Sequence, residues 1–125
     1  MKRFFTLLLL GAASLTFNTM VLAHGSTKPQ HGGIVQMVGE TVFELVVLAD
    51  KTELYLVDDG EELASADMTG KLTITSDGVK SEAILQPAGG NKLEAKGVKI
   101  PSSAKVAVLL IRKDQSKIGA NFTIK

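Results

Sequence analysis

Lys71-Leu72-Thr73-Ile74-Thr75, then Ser76-Asp77-Gly78, then Lys80-Ser81-Glu82-Ala83-Ile84-Leu85 is the stretch whose reading decides the fold. Its first five residues alternate polar and apolar without a break, the period of a strand with one face on the core and one in water. Ser76-Asp77-Gly78 is turn chemistry, because Asp-Gly accepts the positive φ that a tight hairpin needs. A second run of hairpin length follows at once. Outward from there the pattern repeats. Lys92-Leu93-Glu94-Ala95-Lys96 alternates in the same way. Ile34–Val38, Thr41–Ala49, Glu53–Val57, Lys105–Arg112 and Gly119–Lys125 are further apolar runs set between turn residues. No window carries a stripe of 3.6-residue period. Glu61–Met68 is the best helical candidate, but it is too short to stand alone and reads as a turn followed by a short strand. About eight short strands at regular spacing predict an all-β domain, an antiparallel β-sandwich or small barrel.

Two runs do not alternate. Val42–Leu48 and Val106–Ile111 are apolar on both parities, so they belong in the middle of a sheet or under a partial second cover. Glu44 interrupts the first of them. A buried carboxylate needs a lysine partner, an edge position or a metal, and a lysine on a neighbouring strand is the simplest of these. Asp58-Asp59-Gly60-Glu61-Glu62 lacks the alternating ligands of a calcium loop and reads as a hairpin turn. Gly89-Gly90-Asn91 is likewise a turn, since no helix follows it to hold a phosphate.

The first 23 residues read as a secretory signal. Lys2 and Arg3 precede an apolar run, and Val21-Leu22-Ala23 offers small residues at a cleavage site. Phe4–Phe17 is too short for a membrane span, so no span is expected after processing. Removing residues 1–23 takes away two cations and moves the formal charge from +1 to −1. The remaining aromatics are Phe43, Tyr55 and Phe122. Near-neutral charge with so few stacking faces argues against nucleic-acid binding. The chain has no cysteine, which excludes a disulfide scaffold, a thiol nucleophile and a cysteine-anchored lipoprotein. A bacterial periplasm is the simplest compartment.

Between the signal and the strands, His24–Gly33 is a polar arm, HGSTKPQHGG, and it holds both histidines of the chain. Cleavage after Ala23 would make His24 the N-terminus. Its α-amine and ring Nδ1 can then chelate one metal, and His31 can add a third nitrogen in a T, a donor set that suits the tetragonal preference of Cu(II). Zinc or another divalent cation fits the same donors. Gly25, Gly32 and Gly33 permit positive φ beside the ligands, and Pro29 limits the freedom lost on closure. Met37 carries a thioether suited to Cu(I), with a core methionine as the plainer reading. Met68 is open between a strand-end position near the arm and a packing role. No G-x-S-x-G elbow is present and the histidines lie in the arm, so no hydrolase is expected; a copper oxidase would want a broader aromatic surface. The expectation is a non-enzyme.

Pro29-Gln30-His31-Gly32-Gly33, Gly39-Glu40, Phe43-Glu44-Leu45-Val46-Val47 and Leu54–Gly60, with Ala83–Ala95 further on, resemble a small periplasmic β-domain. That domain occurs at the N-terminus of some adaptor subunits of heavy-metal efflux pumps of the resistance-nodulation-division type, and as short exported proteins. The resemblance implies a β-sandwich concerned with copper, zinc, cobalt or related cations outside the cytoplasm, and His31 is the residue that carries over. The chain has no coiled-coil hairpin or lipoyl-like domain with which to bridge a pump. The expected function is therefore a periplasmic metal-binding protein that buffers copper or delivers it to an efflux or uptake system. The alternative is a metal-independent β-sandwich module that docks on a membrane transport partner. The expected metal residues are His24, His31, Met37 and Met68, with residues 34–125 as the scaffold.

Overall fold

The computed structural model describes residues 28–125. Within them lie nine strands: β1 (Ile34–Val38), β2 (Thr41–Val47), β3 (Lys51–Asp58), β4 (Glu61–Glu62), β5 (Thr69–Ser76), β6 (Val79–Pro87), β7 (Lys92–Lys96), β8 (Lys105–Ile111) and β9 (Lys117–Thr123). Every ladder is antiparallel, and neighbours run β1-β2-β3-β7-β6-β5-β8-β9 with β4 on β3. The all-β expectation holds, and the sheet folds on itself until β1 lies beside β9, which nearly closes a barrel. No helix is present among the described residues, and none is long and apolar enough to cross a membrane. Glu61–Met68 contributes only β4 and a loop; the next strand starts at Thr69.

The deciding hairpin forms as its residues require. Leu72 and Ile74 of β5 are buried while Lys71, Thr73 and Thr75 are half-exposed. Asp77 and Gly78 take φ of 51° and 78°, as a two-residue turn of matching twist demands. Asp59-Gly60 makes the same turn between β3 and β4, at φ 51° and 80°. The core joins the inner faces of both halves, with Phe43, Leu54 and Leu56 from one side meeting Leu72, Leu110 and Phe122 from the other. Burying one such leucine contributes roughly 2–3 kcal/mol; these residues hold the barrel together without disulfides.

The two non-alternating runs differ in outcome. β8 is an interior strand, between β5 and β9, yet Ala107 on its second face is exposed and Leu109 half-exposed. β2 is buried continuously from Thr41 to Val46. Phe43 and Leu45 face the core. Val42, Glu44 and Val46 face outward, and the arm covers Glu44 and Val46. The candidate functional site lies there.

Candidate functional site: an imidazole held by a buried carboxylate

Register places the outward side chains. Val35 of β1, Glu44 of β2 and Tyr55 of β3 stand in one cross-strand row, followed by Lys92 of β7. Residues opposite each other in an antiparallel pair share a face. The arm, Gln30 to Gly33, crosses this row. Its backbone N–H groups converge on the Glu44 carboxylate: Gln30 N–H donates to Oε1 at 3.0 Å, His31 N–H to Oε2 at 2.8 Å and Gly33 N–H to Oε2 at 2.9 Å. The His31 ring adds a contact, Nδ1 to Oε1 at 3.0 Å. Each carboxylate oxygen therefore receives two donors. The lysine expected opposite Glu44 is absent, and the arm's own N–H groups and imidazole take its place.

The two glycines after His31 have separate reasons. Gly32 sits at φ +75°, the left-handed region. Gly33 does not, contrary to the expectation that both serve positive φ. A Cβ at Gly33 would lie 2.4 Å from the Leu45 carbonyl oxygen and 2.9 Å from Val46 Cγ2. Gly33 is glycine because the arm presses against the β2 backbone there.

The carboxylate selects the tautomer of the neutral imidazole. Burial pushes the Glu44 carboxyl up. The hydrogen bonds from the His31 ring and from the Gly33, His31 and Gln30 amides outweigh burial and hold it below its ordinary 4.5. Glu44 is thus ionised at neutral pH and can only accept. Nδ1 of His31 must carry the proton, and in the neutral ring Nε2 holds the lone pair. No described group hydrogen-bonds Nε2, and the side chain keeps 41% of its surface exposed.

Tyr55 lies under the imidazole, ring centroids 3.5 Å apart and planes 5° from parallel. Its phenol is pushed up, by burial and by the neighbouring Glu53 charge, to which its O–H donates at 3.4 Å; Lys92 opposes that shift in part. Lys92 in turn pairs with Glu53 at 3.2 Å, so the phenol is pinned and uncharged. Such a stack is worth about 0.5–1.5 kcal/mol, whereas each hydrogen bond to a charged group is worth about 1.5–3. Glu44 therefore holds the arm and Tyr55 orients the ring. Beside them opens a cleft of about 360 Å³, walled by His31 and Tyr55, floored by Val35, Val42 and Val57, and rimmed by Glu62 and Asn91.

Of the expected metal residues that fall among the described residues, His31, Met37 and Met68, only His31 stands at this site. Met37 lies on the same outer face, opposite Val42, and is 39% exposed; it is not the core methionine of the plainer reading. Met68 is buried among the core side chains and is not brought to His31. His24, like the signal segment, lies outside the described residues. Among the described residues no group of three His, Asp or Glu side chains could hold a metal. Tyr55 was legible in principle: pairing through the Leu48–Lys51 turn puts it opposite Glu44. Comparison with known proteins returned no match to a family model, a curated protein or a solved structure.

The linkage to pH has a definite sign. A carboxyl whose pKa is depressed by folding contributes stability that is full above its unfolded value and lost as pH falls through the folded one. Docking of the arm is therefore expected to weaken as pH drops below 4.5. Urea unfolding of wild type and Glu44→Gln across that range checks it: the gap between them narrows in acid, and a constant gap would contradict it.

Proposed function

We propose that this is a periplasmic metal-binding protein, copper being the favoured cargo, that buffers the ion or passes it to an efflux or uptake system. One observation carries the reading. A buried carboxylate accepts a hydrogen bond from the Nδ1–H of His31 and leaves Nε2 as the coordinating nitrogen. Metal-ligating histidines are prepared in this way, since the second hydrogen bond fixes the tautomer, orients the ring and raises its basicity. The described residues supply one nitrogen. His24, as the terminal residue after processing, would supply an amine and a ring nitrogen to complete a planar set suited to Cu(II). The resemblance to the β-domain of heavy-metal efflux adaptors favours the same assignment, with zinc as the nearest alternative. A half-exposed imidazole on the rim of a rigid barrel suits ligand exchange with a partner.

Electron paramagnetic resonance of the processed protein titrated with Cu(II) tests this. The expected result is one tightly bound ion per chain, with hyperfine coupling to several nitrogens. His31→Ala and His24→Ala each should remove nitrogen couplings and lower affinity. A spectrum unchanged by both substitutions would refute the assignment.

A further inference from the structure

β6 is the exception to the closed architecture. It pairs with β5 from Val79 to Leu85. On its other side it meets β7 only through Gln86 and Pro87. Beyond that joint the two strands diverge, leaving a cleft of about 610 Å³ between β6 and residues Glu94–Lys99. The other sheet-end strands, β1 and β9, lie beside each other. The edge of β6 from Val79 to Leu85 thus has no ladder partner among the described residues. Ala83 and Leu85 apart, its side chains are exposed, and it carries the most exposed large apolar residues of the described chain, Val79 at 69% and Ile84 at 61%.

The Asp77-Gly78 turn fixes which backbone groups are free. A two-residue hairpin closes on a hydrogen-bonded pair, here Ser76 and Val79. Val79, Ser81 and Ala83 therefore direct N–H and C=O toward β5, and Lys80, Glu82 and Ile84 direct theirs outward. A row of outward donors and acceptors is a template for another strand.

The sequence along this edge selects the strand. We propose that β6 pairs antiparallel with β6 of a second copy of this chain about a two-fold axis at Ser81. Only even-numbered residues face outward, so the candidate registers centre on Lys80, Ser81, Glu82 or Ala83. Centring on Lys80 or on Glu82 sets like charges opposite each other, which is destabilising. Centring on Ala83 sets Glu82 opposite Ile84. Centring on Ser81 sets Lys80 opposite the partner's Glu82 twice, lays Val79 beside the partner's Ala83 and Ile84 over the partner's Gly78. Glu82 already receives Lys71 at 2.8 Å from β5, so each of these carboxylates would lie between two lysines. The interface is isologous, as a two-fold contact requires, and it extends the β5–β6 half of the barrel into a continuous sheet across both copies. It is independent of the metal reading.

The chain has no cysteine, which makes a direct test possible. Ser81→Cys places two thiols across a non-hydrogen-bonded pair, with Cα atoms about 4.5 Å apart, inside the range a disulfide spans. Under mild oxidation Ser81→Cys should cross-link faster than Glu82→Cys or Ala83→Cys. In sedimentation equilibrium, Lys80→Glu and Glu82→Lys should each weaken dimerisation roughly tenfold, since each reversal makes two symmetric pairs repulsive. The double swap Lys80→Glu/Glu82→Lys should restore it. A wild-type chain that stays monomeric at millimolar concentration, a dimer indifferent to either reversal, or fastest cross-linking through position 82 or 83 would overturn the proposal.

Discussion

Gly33→Ala is expected to destabilise the protein by about 3 kcal/mol and to release the arm. The added methyl would lie 2.4 Å from the Leu45 carbonyl oxygen and 2.9 Å from the Leu45 carbonyl carbon. Leu45 is fully buried in β2, paired on both sides by β1 and β3, so the obstacle is backbone that cannot yield. The arm must move away, and the amides of Gln30, His31 and Gly33 leave Glu44 with it. That strands a carboxylate which the structure keeps ionised and 4% exposed. Gly32→Ala is the control. Its Cβ would meet nothing within 4 Å, so the penalty is that of a left-handed residue alone, about 1–2 kcal/mol. Urea unfolding ranks the two variants. Equal losses would mean that the arm does not press on β2 as described.

Glu44→Gln is the second large effect, although the residues match in shape. Each oxygen of Glu44 accepts two donors. A glutamine must place an NH₂ group at one of those positions, where it faces donors. With the NH₂ at the Oε2 position it faces the His31 and Gly33 N–H groups; at the Oε1 position it faces the Gln30 N–H, and His31 Nδ1 can accept from it only by moving the ring proton to Nε2. A stability loss of about 2–4 kcal/mol is expected, from the lost charge-assisted bonds. Metal binding at the proposed site should suffer through the same change, because the Nδ1 proton of His31 loses its carboxylate; removal of such a partner typically costs 10–100-fold in metal affinity. Met37→Leu separates the thioether from the arm. Met37 shares the outer face but touches none of the hydrogen bonds to Glu44, so its loss should leave stability within about 0.5 kcal/mol.

Much of the fold was legible in the chain because alternation is a local signal. Ile34–Val38 and Lys92–Lys96 form strands with the bounds their patterns predict. What was not legible depended on contacts far apart in sequence. The continuous apolar run of β2 implies a second cover but cannot say that the cover on Glu44 lies 11 to 14 residues upstream. The same gap misassigned the partner of Glu44: backbone N–H groups leave no trace in side-chain chemistry, so a lysine seemed the natural counter-charge. Gly33 looked like a turn residue because its crowding comes from β2. Met68 precedes β5 in sequence, which allowed it a place near the arm; the core claims it instead. His31 was readable as a candidate ligand from its residue type alone, but the nitrogen it would offer was not. That depends on Glu44.

Tyr55 provides the most direct check of the central claim, that His31 Nε2 is a metal ligand. It is the only tyrosine in a chain without tryptophan, and its ring lies 3.5 Å from the imidazole. All tyrosine emission of the protein therefore arises beside the proposed ion. Titrating Cu(II) into the processed wild-type protein should quench that emission with an endpoint at one equivalent. His31→Ala should abolish the stoichiometric quench while leaving Tyr55 in place. Copper binding that leaves the emission intact, or quenches it identically without His31, would contradict the account.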